Sequence, residues 1–247
     1  MINDISIVIP AYNEEATIGR TLLEVCDYLR KQKLDFEILV MNDGSTDQTS
    51  KRAGEILSGR PEIELIDCPI NRGKGAVIKE GVELVRKNYF LFMDADNSTS
   101  ITEIKKFIPF LERGTPSVIG SRYLKTSRII YPQPWPRRIL GGGYRLLSRL
   151  LFGLNLSDFN CGFKAYRTDV VKPIFRQMRM KDWTFDIELL YLFRKAHIPI
   201  QEVPVDWSHV GKKSHQKIFE TALRSFINLL YLRINLFRHA STEIGAR

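Results

Sequence analysis

Two aspartates separated by one small residue follow an apolar run of the chain. Asp94 and Asp96 flank Ala95 and come directly after residues 88–93, which the pattern predicts to be a buried strand. Carboxylate oxygens are the ligands that Mg²⁺ and Mn²⁺ prefer, and Mg²⁺ is commonly held by one or two carboxylates together with substrate phosphates. An Asp-x-Asp motif by itself is more often a polar loop, so the elements that position the two carboxylates decide between these interpretations.

Strand and helix patterns alternate along the first half of the chain. Strands are predicted at residues 5–10, 36–41, 63–66, 88–93 and 116–120. Helical patterns lie between them, and Ser100 with Glu103 predicts a capping box at the start of the fourth helix. The alternation indicates βαβ units and therefore an α/β fold, with a mostly parallel sheet and helices on both faces.

Polar clusters follow four of the predicted strands, at residues 12–14, 43–47, 71–74 and 94–96. Ligands of open α/β sheets bind outside the carboxyl ends of the strands, so the four clusters predict one site at that edge. The sequence has no Gly-x-Gly-x-x-Gly after the first strand and no Gly-x4-Gly-Lys-Ser/Thr, which argues against a classical dinucleotide enzyme and a P-loop NTPase.

Composition and charge narrow the class of protein further. A chain of 247 residues that is 44% hydrophobic can bury a full core, and its three cysteines are too few for a disulfide framework. Residues 122–247 hold 22 basic and 9 acidic residues, whereas residues 1–121 hold 15 and 19. The basic half suggests lipid head groups, a phosphorylated substrate or nucleic acid as partner. A nucleic-acid-binding module stays a remote alternative, because the sequence shows no recognisable module of that kind.

Six motifs together resemble the family 2 glycosyltransferases, which have the nucleotide-sugar-binding, Rossmann-like GT-A fold. These are Pro-Ala-Tyr-Asn-Glu at 10–14, Asn-Asp-Gly-Ser-Thr-Asp at 42–47, Asp-Ala-Asp at 94–96, Gly-Ser-Arg-Tyr at 120–123, Asp-Phe-Asn-Cys-Gly-Phe-Lys at 158–164 and Asp-Trp-Thr-Phe-Asp-Ile-Glu at 182–188. The last three are similar to motifs of the polyprenyl-phosphate sugar transferases. Residues 71–75 and 183–191 most resemble the dolichyl-phosphate β-glucosyltransferases, with the mannosyl enzymes as near neighbours.

The resemblance implies a nucleotide-sugar donor, with UDP-glucose as the first choice and GDP-mannose as the alternative. Asp94 and Asp96 would hold the Mg²⁺ or Mn²⁺ that neutralises charge on the departing nucleoside diphosphate. The contacts that the resemblance assigns to the base and ribose are Pro10, Tyr12, Glu14 and Asp43. The further donor contacts that we predict are Lys74, Asp158, Asp186 and Lys213.

The resemblance also implies a polyprenyl or dolichyl phosphate as acceptor. Such a monophosphate has its second pKa near 6, so it is largely a dianion at neutral pH and attacks the anomeric carbon without a protein base. Residues 122–149 supply seven Lys or Arg residues and no acidic one. By resemblance Arg122 and Arg137 bind the acceptor phosphate, with Arg138 beside them, and the predicted catalytic group is Asp94, Asp96, Arg122 and Arg137. Two contacts of the relatives are missing, because Gly141 and Ser98 stand where some of them have serine and glutamine.

The end of the chain, at residues 218–237, predicts an amphipathic helix. Charged residues interrupt it, and no apolar run approaches the ~20 residues that a membrane span requires. The helix either lies flat on a membrane or packs on its own domain or a partner, and both interpretations stay open. We predict a catalytic domain at 1–215 and a helix with a tail at 216–247. The sequence shows no signal peptide and no transmembrane helix, so we expect a peripheral protein on the cytoplasmic face of a membrane, bound directly or through an anchor subunit.

Overall fold

The structure, a computed structural model, describes residues 2–209 and 218–244, and in the second range it describes the side chains of residues 223–236. Within these residues the strands are β1 (Asp4–Ala11), β2 (Asp35–Asp43), β3 (Ile63–Cys68), β4 (Tyr89–Met93), β5 (Ser117–Ser121), β6 (Arg128–Tyr131), β7 (Phe163–Arg167), β8 (Ile200–Pro204) and β9 (Asp206–Ser208). The α-helices are α1 (Ile18–Lys31), α2 (Thr49–Leu57), α3 (Lys74–Leu84), α4 (Ile108–Glu112), α5 (Trp135–Phe152), α6 (Thr168–Phe175), α7 (Phe185–Lys195) and α8 (Ile218–Ile244).

Seven strands form one sheet in the order β3-β2-β1-β4-β7-β5-β8. Strands β3, β2, β1 and β4 run parallel to one another, as do β5 and β8, and only β7 is antiparallel to its two neighbours. The carboxyl ends of β1, β2, β4 and β5 therefore lie at one edge of the sheet, where β7 begins. Strands β6 and β9 form a separate parallel pair.

The hydrophobic core lies on both faces of the sheet. In β1, Ile5, Ile7 and Ile9 belong to the cluster that α1 covers, whereas Val8 points into the cluster on the opposite face. Burial on both faces explains why the strand is nearly all apolar rather than alternating. The predicted α/β fold with a mostly parallel sheet is confirmed.

The fourth predicted helix differs from the expectation. Residues 101–106 form a 3-10 helix, and α4 follows as one short turn with Pro109 in its first turn. The Ser100 side chain accepts a hydrogen bond from the backbone N–H of Thr102, as a cap should. The Glu103 carboxylate instead accepts from Lys106 and from the backbone N–H of Asp206, so no capping box forms.

The predicted C-terminal helix is present as α8, which packs against α5. Leu229 and Leu232 of α8 are buried in the core cluster that contains α3 and α7 residues, and Phe226 meets Tyr144 edge to face. Within the described part of the chain, no helix is both long and apolar enough to cross a membrane. The division at residue 215 stays a prediction.

Candidate active site

The Asp-Ala-Asp turn leaves β4 and is held on three sides. The backbone N–H of Asp94 donates to the carbonyl of Gly162 at 3.0 Å, and the Ala95 carbonyl accepts from the Thr21 hydroxyl at 2.8 Å. The Asp96 carboxylate accepts from the backbone N–H of Ser98 at 2.9 Å. The turn therefore presents two carboxylates from a fixed backbone at the carboxyl edge of the sheet.

The charge state of Asp96 reflects its surroundings. Burial and then the neighbouring Asp94 charge raise the pKa of Asp96 above its ordinary value, against the opposing hydrogen bonds of Ser98. A carboxylate with a raised pKa and a like charge beside it gains most from a nearby cation. The two groups fit a divalent cation, although the described residues contain no cluster of three or more His, Cys, Asp or Glu side chains at one point. Its remaining ligands would have to be substrate oxygens, which is the usual arrangement for Mg²⁺.

Lys74 lies directly beside this pair, and its contact with the donor stays a prediction. It is the first residue of α3, and its ammonium forms an ion pair with Asp94. The same nitrogen lies 4.4 Å from the ring centroid of Trp183 and 5.2 Å from that of Phe92. The Lys74 ammonium therefore lies between two aromatic rings and the carboxylate that would hold the metal.

The loop after β2 positions the turn that carries Lys74. Both Asp43 oxygens accept backbone hydrogen bonds, from Arg72 at 2.7 Å and from Gly73 at 2.9 Å. Gly73 has a φ of +95°, and a β-carbon there would lie 2.4 Å from the Lys181 carbonyl oxygen. Asp43 therefore shapes the site through this turn, and its contact with the donor base stays a prediction.

The loop after β1 is joined to the loop after β2. Asn13 has a φ of +56°, its backbone N–H donates to the Ser45 hydroxyl, and its side chain accepts from the backbone N–H of Thr46. Pro10 is buried within β1, whereas Tyr12 is exposed at the rim and offers a ring face. The Glu14 carboxylate accepts from the Thr17 hydroxyl at 2.8 Å, which holds it near the start of α1.

Arg122 and Asp158, which the sequence assigned to different substrates, form one buried pair. The Nε and Nη2 atoms of Arg122 donate to the two Asp158 oxygens at 2.6 and 2.8 Å, and its backbone N–H donates at 3.1 Å. Burial would raise the pKa of Asp158, but the adjacent guanidinium outweighs it and holds that pKa below the ordinary value. The carboxylate of Glu202 accepts from the backbone N–H groups of Ser157 and Asp158, so β8 fixes the loop that carries Asp158.

A second buried pair joins Asp186 to Lys164 of β7. Both side chains are buried, and the ammonium also donates to the Phe159 carbonyl at 2.7 Å. Two residues further along α7, the Glu188 carboxylate accepts from the backbone N–H groups of Arg179 and Met180. The two acidic residues thus point in different directions, and Asp186 alone lies on the side of the site.

Two of the three predicted acceptor arginines, Arg137 and Arg138, lie at the start of α5. Arg137 is half-buried and Arg138 is exposed. Arg145 lies on the same helix face as Arg137, eight residues on, and its guanidinium carbon is 3.6 Å from the ring centroid of Tyr123. A β-carbon on Gly141, between the two arginines, would meet no atom within 4 Å. Arg145 therefore brings this face of α5 next to the end of β5, where Arg122 follows.

Several contributors to the site escaped sequence reasoning. Trp183 was not assigned a role, Arg145 was counted only as one of the seven basic residues of 122–149, and the turn of Gly162 and Lys164 was expected beneath the donor sugar without its contacts to Asp94 and Asp186. Their motifs were visible in the sequence, but the contacts depend on how β7 and α5 pair with distant elements. Lys213, predicted as a diphosphate contact, lies outside the described residues.

Replacement of Gly162 by alanine is expected to impair a site that depends on the Asp-Ala-Asp turn. The added β-carbon would lie 1.9 Å from Asp94 Oδ2, so this carboxylate has to leave its position. We expect a loss of about tenfold to a hundredfold in kcat and in Mn²⁺ affinity, since a small misplacement at a reacting centre can cost that much. Gly54→Ala in α2 is the control, because its β-carbon meets no atom within 4 Å. Equal activity of the two variants would contradict the role of Asp94.

Comparison with known proteins identifies the class that this fold and site define. The sequence profile of glycosyl transferase family 2 matches residues 6–175. The chain belongs to this family of glycosyltransferases. The GT-A fold that the motifs implied is confirmed by solved structures, among them glucosyl-3-phosphoglycerate synthase from Mycobacterium tuberculosis in complex with Mn²⁺, UDP and phosphoglyceric acid. That structure has a TM-score of 0.66 and 20% identity, over 94% of this chain and 78% of the other.

Within the family, the chain is similar to dolichyl-phosphate β-glucosyltransferases. The Homo sapiens protein of that name is 32% identical, over 93% of this chain and 75% of the relative. The Dictyostelium discoideum protein is 31% identical, over 83% of this chain and 67% of the relative. The predicted resemblance is confirmed.

Proposed function

We propose that the protein transfers glucose from UDP-glucose to dolichyl or a related polyprenyl phosphate, with inversion at the anomeric carbon. The observation that carries the proposal is the short stretch of chain between the residues that contact the Asp94–Asp96 turn, the donor half of the site, and Arg122, the acceptor half. Asp158, the partner of Arg122, stands four residues before Gly162, which contacts Asp94. Four residues span at most about 14 Å, so a carboxylate pair suited to a metal diphosphate lies close to an arginine suited to a second phosphate.

The donor half is built from Asp94, Asp96 and Lys74. Both carboxylates are placed to hold Mg²⁺ or Mn²⁺, which when bound would neutralise charge on the donor diphosphate. Related folds have been solved with Mn²⁺ and UDP-glucose bound, in the glucosyl-3-phosphoglycerate synthase of Mycobacterium tuberculosis. Lys74 already lies at Asp94 and can turn its ammonium toward a diphosphate oxygen. Tyr12, Glu14 and Asp43 remain the proposed base and ribose contacts.

The acceptor half uses arginines and no general base. In the proposed step an oxygen of the lipid phosphate dianion forms the bond to C1 of glucose. The bond from C1 to the diphosphate oxygen breaks, and UDP leaves with that electron pair. Nε and Nη2 of Arg122 donate to Asp158, so Nη1 is the proposed donor to the acceptor phosphate. Arg137 and Arg138 are the other two proposed contacts. Charge-assisted hydrogen bonds from arginine suit this task, because they bring the anionic acceptor phosphate close to the anionic donor diphosphate.

The test of this function is a donor screen. Purified protein would be incubated with Mn²⁺ or Mg²⁺, a polyprenyl phosphate and labelled UDP-glucose or GDP-mannose. We expect the label from UDP-glucose to reach the lipid fraction and the signal to disappear with EDTA. Transfer from GDP-mannose instead would select the mannosyl alternative. No transfer from any donor would overturn the proposal.

Arg137→Ala is expected to weaken use of the lipid phosphate while the donor is bound normally. One charge-assisted hydrogen bond contributes about 1.5–3 kcal/mol, so KM for polyprenyl phosphate should rise about tenfold or more. KM for UDP-glucose should change little, because Arg137 lies on α5 and not in the loops after β1, β2 and β4. Arg128→Ala, an exposed residue of the same acid-free segment, is the control. A larger effect on the UDP-glucose KM would contradict the assignment.

We also propose that the protein lies on the membrane that holds its lipid substrate. Large apolar side chains are exposed on β6, α5 and α8; they are Ile130, Tyr131, Trp135, Ile139, Leu146, Leu150, Leu223, Ile227, Leu230 and Ile234. Basic residues of the segment 122–149 accompany them, a combination that favours anionic interfaces. The relatives named dolichyl-phosphate β-glucosyltransferases support a lipid-linked acceptor. The cytoplasmic face and an anchor subunit remain proposals.

Ile227→Asp is expected to weaken binding to vesicles that contain anionic phospholipid. Its side chain is exposed on α8, and loss of one buried apolar side chain from a bilayer interface costs about 1.5–3 kcal/mol, or roughly tenfold in affinity or more. Ile70→Asp is the matched control, because Ile70 is also exposed, at 66% against 55% for Ile227, but lies on the loop after β3. Co-sedimentation measures both. Equal losses in the two variants would show that α8 is not the docking element.

A further inference from the structure

The helix α8 is bonded to the loop that borders the donor half of the site. The side-chain amide of Asn228 donates to Oδ2 of Asp182, which precedes α7 by three residues. Oδ1 of the same carboxylate accepts from the backbone N–H of Thr184 at 2.9 Å. Asp182 therefore ties its own loop together with one oxygen and ties it to α8 with the other.

This loop, residues 179–184, forms a wall against the turn that carries Lys74. The Lys181 carbonyl accepts from the backbone N–H of Gly75 at 2.7 Å, and the close approach at Gly73 leaves no room for a β-carbon. The ring of Trp183 covers the Lys74 ammonium, which is paired with Asp94. A continuous series of contacts thus runs from Asn228 through Asp182, Trp183 and Lys74 to Asp94.

The two ends of the loop are anchored differently. Glu188 holds its first part through the N–H groups of Arg179 and Met180. Its second part, which carries Trp183, is tied to the Lys74 turn at Lys181 and to α8 at Asp182, where Asn228 donates. Trp183 is 55% exposed, so its own burial contributes little to keeping it in place. The contact with α8 therefore adds to the Lys181–Gly75 hydrogen bond in holding the Trp183 ring over Lys74.

We propose that Asn228 is a positioning residue of the transferase. Through Asp182 it keeps the Trp183 ring over the Lys74 ammonium, which is paired with Asp94. The opposite face of α8 carries the exposed Leu223, Ile227 and Leu230. The helix is already held by its packing against α5, so the positioning by Asn228 rests on the proposed transferase function and not on the proposed docking on a membrane.

The first test is Asn228→Ala, read by kinetics and by the fluorescence of Trp183. Because Asn228 donates to a charged carboxylate that holds the Trp183 loop, we expect kcat/KM for UDP-glucose to fall about tenfold or more in Asn228→Ala. The Trp183 signal, defined by its loss in Trp183→Phe, should shift in the substrate-free protein and respond less to Mn²⁺ with UDP-glucose. The control is Asn235→Ala, two turns further along α8. Wild-type kinetics and an unshifted Trp183 signal in Asn228→Ala would overturn the proposal.

Exchanging the carboxylate of Asp182 and the amide of Asn228 distinguishes a positioning role from a general loss of stability. Asn228→Asp alone sets two carboxylates against each other and should be at least as impaired as Asn228→Ala. In the double variant Asp182→Asn with Asn228→Asp, the amide at 182 donates to the carboxylate at 228. We expect it to recover most of the lost kcat/KM and the Trp183 signal, and failure to do so contradicts the pairing. If the wild type transfers no glucose, the proposed function fails, while the Trp183 shift still decides the role of Asn228.

Discussion

Asp96→Asn is expected to reduce glucose transfer by about a thousandfold or more, because several kcal/mol of charge stabilisation on the leaving diphosphate would be lost. The amide oxygen can still accept from the backbone N–H of Ser98, so the turn after β4 keeps its shape and only the charge changes. Mn²⁺ affinity, followed by the EPR signal of the free ion, should fall together with kcat. This replacement therefore tests the metal role and not the fold of the loop.

Asp67→Asn is the matched control for Asp96. Asp67 also lies in the last part of a strand at the same sheet edge, but its carboxylate accepts from Asn42 and Ser50. We expect this variant to retain Mn²⁺ binding and most of the transfer activity. If Asp96→Asn kept more than a tenth of the wild-type rate with unchanged Mn²⁺ affinity, the Asp-Ala-Asp turn would be structural and the proposed donor site would be wrong.

The sheet and the edge that holds the site could be predicted because both depend on local patterns. Runs such as residues 5–10 and 36–41 are apolar except for Ser6 and Glu37, which is typical of strands covered on both faces. The polar loops come directly after those strands, so their meeting at one edge follows from parallel pairing alone. The failure at residues 101–106 concerns Glu103, whose carboxylate bonds to Lys106 and to the distant Asp206 instead of closing a capping box.

The pairing of side chains within the site could not be predicted in the same way. Arg122 and Asp158 are 36 residues apart, and Lys164 and Asp186 are 22 apart. Each pair depends on the position of β7, the one antiparallel strand of the large sheet, and on the loops that flank it. Sequence reasoning gave Arg122 and Asp158 to different substrates, whereas the structure joins them in one ion pair.

That unit is expected to be essential for stability. Asp158→Asn leaves the Arg122 guanidinium buried without its counter-charge, and breaking a buried pair by removing one partner costs about 3–5 kcal/mol. Natural proteins of this kind are stable by only about 5–15 kcal/mol, so urea unfolding should shift to much lower denaturant concentration. Transfer activity should fall as well, because the loop of Asp158 leads to Gly162 and Asp94.

Asp169→Asn is the control that isolates burial as the cause. Arg167 and Asp169 form the same two-bond geometry, at 2.8 and 2.7 Å, but their side chains are 39% and 66% exposed, against 14% and 1% for Arg122 and Asp158. An exposed pair contributes at most about 1 kcal/mol. Equal losses in the two variants would contradict a special role for the buried pair.

The pH dependence of the unfolding free energy, compared between wild type and Asp158→Asn, gives a second test of the buried pair. The guanidinium holds the pKa of Asp158 below its ordinary value in the folded protein, so the carboxylate stabilises the fold while it is ionised. This stabilisation is complete above the unfolded-state pKa of about 3.9 and is lost as the pH falls through the lower, folded-state pKa. The difference in unfolding free energy between wild type and Asp158→Asn should therefore be constant from about pH 7 to pH 5 and shrink below about pH 4. A difference that grows as the pH falls would mean that the pair is not held by the charge of Asp158.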